Sequence, residues 1–204
     1  MISHQVLWGA TDGADADVWS DLDHLLRMRW PHPAGGMLKI DAAAVDAGDG
    51  GMMDTVTAFC TPRLGKRVFA TKGAPGFSRA TIIRSKSGKR PLWIVGVDGI
   101  KTRLFDRLAK GNSIRFSNSL AAEYFEQLSS ERRVVRIVRG KPTMRFERKP
   151  GFVAEGLDAT VYAAAAKAAL SLNFDVREDE LRTPPPSVPK PPMPTVIRSE
   201  WMNR

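Results

Sequence analysis

The chain reads as an α/β sandwich, a sheet flanked by helices. Two short runs, residues 38–45 and 91–97, are too uniformly apolar to alternate, as expected of strands covered on both faces. Segments of helical periodicity lie between and beyond them, and strands alternating with helices pack as layers. At 204 residues the chain is long enough for one domain with a proper core, and no segment repeats.

In order, residues 5–8 form a short strand candidate. Asp15 or Asp17 can cap a helix over residues 18–28, with Val18, Leu22, Leu25 and Leu26 on one face and Pro31 beyond its end. The run 38–45 reads as a central strand that delivers Asp46 to its C-terminal end. A helix over residues 52–60 then buries Val56, Phe59 and Cys60, and residues 67–71 return as a strand. Residues 72–89 are a polar loop or hairpin rich in Gly and Ser. After the second buried strand, Asp98 starts a helix with Ile100, Leu104, Phe105 and Leu108 facing inward. Residues 113–117 are a strand and 120–128 a helix. Residues 132–138 and 142–148 alternate basic and apolar side chains, which suits a hairpin turning through Gly140-Lys141.

The Ala-rich run within residues 151–170 is the last helix of the domain. From about Asn173 the composition changes, and the prolines between Pro184 and Pro194 allow neither helix nor sheet. The expected organisation is therefore a domain over residues 1–172 and an extended or disordered Pro-rich tail over 173–204. The tail's end, with Ile197 and Trp201, either offers a sticky tip to a partner or simply frays.

The 31 basic and 22 acidic residues give a net charge of +9, unevenly spread. No acid lies between Asp54 and Asp98, an interval with nine Lys and Arg, and residues 132–149 hold eight against the single Glu147. Such clusters suit the phosphate backbone of double-stranded DNA. Cys60 is the only cysteine, so no intrachain disulfide forms and a reducing compartment, the cytoplasm of the cell that makes the protein, is expected. No apolar run approaches a membrane span, no signal peptide is visible, and no membrane role is expected. His4, His24 and His32 do not match a zinc pattern, and no Walker A sequence is present. Trp8, Trp19, Trp30 and Trp93 are most simply core or interface residues.

Two acidic signatures carry the chemistry. Asp46, followed by Gly48, Gly50 and Gly51, is either an ordinary strand-end aspartate or a metal ligand with backbone room for a phosphate beside it. Asp41, five positions earlier, falls on the opposite face. Glu155 and Asp158, spaced i, i+3, share one helix face; there they either answer the helix dipole or coordinate a cation. A strand-end carboxylate and others on a late helix can converge on hard cations.

Taken in order, several stretches resemble the C-terminal nuclease domain of phage terminase large subunits of the lambda-like class. They are residues 18–23 (Val-Trp-Ser-Asp-Leu-Asp), 44–48 (Ala-Val-Asp-Ala-Gly), 56–60 (Val-Thr-Ala-Phe-Cys) and 67–73 (Arg-Val-Phe-Ala-Thr-Lys-Gly). They continue with residues 91–98 together with Lys101, 123–128 (Glu-Tyr-Phe-Glu-Gln-Leu) and 155–158 (Glu-Gly-Leu-Asp).

The resemblance implies a ribonuclease H-like mixed sheet flanked by helices, and an endonuclease that cuts concatemeric DNA during packaging with a two-metal site of Mg2+ or Mn2+. It implies Asp46, Glu155 and Asp158 as catalytic residues, with Asp46 and Asp158 as metal ligands. Lys72, Lys101, Arg132, Arg133 and Arg136 would guide duplex DNA. The implied partners are the terminase small subunit and the portal. Departures from the family pattern are Ala47, Asp49, Ala154, Gly156 and Ala159.

The family's first catalytic Asp would lie upstream of Met1, as would an ATPase domain. The chain is therefore expected to be a split gene, a prophage remnant or a shortened piece, nearly inactive and prone to self-association alone. Asp12 is a candidate substitute, although the resemblance puts it in a loop. Two rival readings are a non-catalytic DNA-binding or portal-docking remnant of the packaging motor, and another ribonuclease H-like nuclease such as a resolvase or transposase.

Overall fold

The face on which each residue of the strand before Asp46 sits organises the domain. In a computed structural model, which describes all residues except 14–15, 34, 87–89, 112, 171 and 183–204, β1 (Arg29–Pro31) and β2 (Met37–Lys39) precede β3 (Ala43–Asp46). Ala43, Val45 and Ala47 pack into one core with Val18 and Trp19 of α1 (Asp17–Arg27) and Val56, Phe59 and Cys60 of α2 (Met53–Cys60). Ala44 packs into a second core on the other face. Alternation along a strand therefore turns Asp46 toward that second layer.

The sheet continues from β3 through β4 (Val68–Ala74) and β6 (Trp93–Gly96) to β5 (Ile82–Arg84). The first three strands are parallel and β5 is antiparallel to β6. The second layer is built from α3 (Val97–Ala109), α4 (Ala122–Leu128) and α5 (Glu155–Ala168). Ile100, Tyr124, Leu128, Leu157 and Val161 fill it. The domain is a mixed sheet flanked by helices, as the sequence predicts. None of the described helices is long and apolar enough to cross a membrane.

Several elements differ from expectation. The run 38–45 is not one central strand. β2 pairs antiparallel with β1, Trp30 opposite Leu38, through a tight turn in which His32 N–H donates to Gly36 O. That local pairing draws residues 37–39 into a separate ribbon. Among the described residues β3 pairs only with β4, so it forms an edge of the main sheet. Residues 5–8 and 113–117 form no strand. The second segment bonds instead to the first residue of the chain: the Met1 ammonium donates to Arg115 O at 2.7 Å, and Ser117 N–H donates to Met1 O at 2.9 Å.

Asp15 lies outside the described residues. Ala16 occupies the N-cap of α1, and Asp17 sits in the first turn, where the helix dipole favours it. Of the tryptophans, Trp8 is 87% exposed, which removes it from the core. Burial pushes the Cys60 thiol up to about 12 against the pull of Arg63, so it stays protonated and unreactive.

The basic hairpin forms from β7 (Glu131–Val138) and β8 (Lys141–Arg148), turning through Arg139-Gly140, one residue earlier than expected. Both turn residues have left-handed φ, 50° and 73°, as a two-residue hairpin turn with the strands' own twist requires. Beyond α5 the chain forms α6 (Phe174–Arg182), whose Phe174 ring lies under the Lys167 ammonium at 4.8 Å. The Pro-rich segment and the Ile197 and Trp201 tip lie outside the described residues.

Candidate active site

Asp46 bonds to Tyr162, and Asp158 lies one helical turn from that tyrosine. Asp46 closes β3, and its exposed carboxylate accepts, at Oδ1, the Gly48 N–H (2.9 Å) and the hydroxyl of Tyr162 (2.7 Å), 116 residues away. A Cβ at Gly48 would stand 3.0 Å from that oxygen, so glycine keeps the turn close to the carboxylate. Tyr162 in turn passes tight against β4: a Cβ at Gly73 would meet its hydroxyl at 3.0 Å and Val97 at 3.1 Å. Burial, then the bond to Asp46 and that residue's charge, raise the Tyr162 pKa well above the ordinary phenol range. The charge of Asp158 adds to the rise and the Gly73 backbone opposes it. Tyr162 is therefore a fixed donor to Asp46 at neutral pH.

Asp158 lies one turn before Tyr162 on the same face of α5. Its Oδ1 is 3.4 Å from Lys101 Nζ, and Oδ2 is 3.9 Å from the Arg148 guanidinium. Lys101, on α3 and only 7% exposed, also donates to both carboxylate oxygens of Glu131, at 2.9 and 2.8 Å. Glu131 is the first residue of β7, so the hairpin's base is tied to the site through one buried ammonium.

α5 is held without a side-chain cap of its own. Its Gly156 N–H donates to Gln127 Oε1 of α4 at 2.7 Å, and Tyr124 shares a 2.9 Å bond with Thr160. Leu157, Val161 and Ala165 are fully buried beneath it, and the small alanines let the helix lie close on β3. Close packing holds Asp158 and Tyr162 rigidly relative to Asp46.

The remaining predicted residues are dispersed. Glu155 is exposed on the first turn of α5, and among the described residues it makes no ion pair. Asp12 sits in an exposed bend before α1. Among the described residues no group of three or more His, Cys, Asp and Glu is arranged to hold a metal. Asp46 and Asp158, whose charges both act on Tyr162, are hard oxygen donors, the type Mg2+ and Mn2+ take.

Lys72 is exposed on β4, whereas the Lys101 charge is engaged inside the molecule. Arg132, Arg133 and Arg136 are exposed on β7. Two participants were not anticipated from the sequence. Tyr162 carries a local signal, the i+4 spacing from Asp158; Glu131 carries none, because only the tertiary fold brings it to Lys101.

On the hairpin, Arg136 grips Glu147 bidentately at 2.9 and 2.9 Å, and Arg145 Nε adds a third bond at 2.7 Å. Hydrogen bonds from Arg136 and then Arg145 hold the Glu147 carboxyl down to about 2, against an ordinary 4.5. Its contribution to stability is therefore complete above pH 4.5 and is lost as pH falls through about 2. A carboxyl-carbon NMR titration should place the midpoint near 2, and Arg136→Ala should move it up toward 4.5. A wild-type midpoint already at 4.5 would remove the clamp.

No curated protein and no solved structure matches this chain. The family model of the terminase large subunit gpA endonuclease domain matches residues 1–180, nearly the whole described fold, including both aspartates, the tyrosine bonded to Asp46 and the basic hairpin. The chain belongs to the family of terminase large subunit endonuclease domains, nucleases of DNA packaging.

Proposed function

We propose that this domain is a metal-dependent endonuclease that cuts double-stranded DNA with a two-cation site, Asp46 and Asp158 being its protein ligands. The observation that carries the reading is the Tyr162 hydroxyl bonded to Asp46 at 2.7 Å, with Asp158 one helical turn away on the same face. That arrangement supports a strand-end carboxylate and a late-helix carboxylate serving one site. The chemistry that bound Mg2+ or Mn2+ supplies is stabilisation of phosphoryl oxygens and activation of water.

The chain's own groups prepare the site. Tyr162 occupies one oxygen of Asp46 and orients the carboxylate. Lys101, anchored by Glu131, sets the position of Asp158. Glu155 is a further ligand within reach of solvent, on the same helix face. Lys72, Arg132 and Arg133 are exposed cations that suit the phosphate backbone, while the charge of Lys101 serves the site internally.

Low activity of the isolated chain is part of the proposal. With two gathered carboxylates, cation binding is weak, and the open edge of β3 favours self-association. In the complete motor the portal and the small subunit would be its neighbours.

Non-specific duplex binding should weaken steeply with salt, log K falling by about 0.9 per neutralised phosphate. Replacing Arg132 and Arg133 with Ala should therefore flatten the slope by up to about 2. Adding Arg136→Ala should change it less, because Arg136 is already paired with Glu147. Fluorescence anisotropy across a salt series measures this; a salt-independent affinity, or no binding at low salt, would count against DNA as the substrate.

A further inference from the structure

The hairpin has two chemically different faces. Register pairs Val135 with Met144 and Ile137 with Pro142, so these four side chains fall on one face. Val135 is 65% exposed, Ile137 79% and Met144 44%. Toward the base the same face is packed, with Phe146 stacked between Phe77 (6.0 Å) and Phe105 (5.7 Å). The opposite face carries Arg132, Arg136, Lys141 and Arg145 with Val134 and Val138 among them, and Arg133 lies across from Phe146 on the apolar face. The hairpin is thus anchored at its root and leaves the distal apolar face uncovered.

We propose that this arm lies along the minor groove of the duplex, with the apolar face of Val135, Ile137 and Met144 wedged against the base steps so that the DNA bends. The inference rests on the reading of double-stranded DNA as substrate. Charge selects DNA over a protein partner. Both acids of the hairpin are already neutralised, Glu131 by Lys101 and Glu147 by Arg136 and Arg145. Arg133 on the apolar face and Arg139 in the turn beside it are exposed and make no ion pair among the described residues. A protein surface docking there would have to desolvate those cations, whereas groove walls present a phosphate to each.

The dimensions agree. Strands of eight residues span roughly 25 Å, several base pairs along a groove. Ribbons of this kind enter grooves, and apolar side chains inserted between minor-groove steps kink the duplex. Because the root of the arm holds Glu131 and Arg148 beside Asp158, a duplex bent over it would be presented to the site.

The test uses the full chain and a duplex of about 30 base pairs carrying a dye at each end, with either a central TA step or an A-tract. Wild type should shorten the end-to-end distance and favour the easily kinked TA duplex by about tenfold. The triple variant Val135→Ser, Ile137→Ser, Met144→Ser should bind about tenfold more weakly, with bending and step preference gone and the salt slope unchanged, since no charge is altered. The single variant Ile137→Ser, at the most exposed position, should lose part of the bend and guards against misfolding of the triple. Bending and preference retained in the triple variant overturn the proposal. So does loss of self-association in sedimentation with DNA bending intact, which would assign the face to a second copy. Absence of any wild-type duplex binding at low salt overturns the DNA reading itself and is distinguishable from both.

Discussion

Asp46→Ala is expected to weaken Mn2+ binding by at least about 100-fold and to abolish plasmid cleavage in Mg2+ or Mn2+. The reason is geometric: Asp46 is the only carboxylate that β3 presents to α5, and its partner Asp158 is already shared with Lys101 and Arg148. Removing it leaves only the carboxylates of one helix turn, Asp158 and the exposed Glu155, too little negative charge in one place to strip a hard cation of its water. Tyr162→Phe should act in the same direction and less severely. It removes the 2.7 Å bond that orients Asp46, and loss of such an orienting partner typically costs about 10–100-fold in metal affinity or activity.

Calorimetric Mn2+ titration of the three proteins gives the ordering independently of turnover, which matters if the chain alone cuts slowly. Mn2+ binding and cutting that survive Asp46→Ala would dismiss the site. An unchanged Tyr162→Phe would remove only the orienting role of the tyrosine.

Lys101→Met is expected to destabilise the fold by about 3–5 kcal/mol, the usual cost of leaving a buried charge without its partner. The Glu131 side chain is 10% exposed and that of Lys101 9%, so Glu131 would be stranded without the buried cation it shares with Asp158. The double variant Lys101→Met, Glu131→Gln removes the stranded charge and should recover most of the loss, a coupling that a double-mutant cycle in urea measures directly. A loss below about 1 kcal/mol in the single variant would mean that the pair is effectively solvated, as exposed pairs are. Lys101→Met should also loosen the hairpin root, because Glu131 begins β7.

The sequence by itself determined the elements whose signal is local. The apolar period of α2, the helix α3 with Asp98 in its first turn, the paired basic strands of the hairpin and the Ala-rich α5 each depend on residues within one turn or one strand of each other. Their identity survives whatever packs against them. Asp46 at a strand end and Glu155 with Asp158 on a first helical turn were legible for the same reason, as was the family to which these motifs belong.

Tertiary structure alone decided the rest. Residues 38–45 read as one largely apolar run, yet pairing with β1 diverts the first part and leaves β3 at the sheet edge among the described residues, a competition no local window contains. Whether two carboxylates meet depends on which face of β3 is turned toward α5, and that is set by the two cores on either side of the sheet. Tyr162 joins the site because α5 packs closely enough for its hydroxyl to reach across. Glu131 joins it because a buried ammonium on α3 needs a counter-charge. Ion pairing and face selection act between segments far apart in the chain, so their outcome appears only when the layers are assembled.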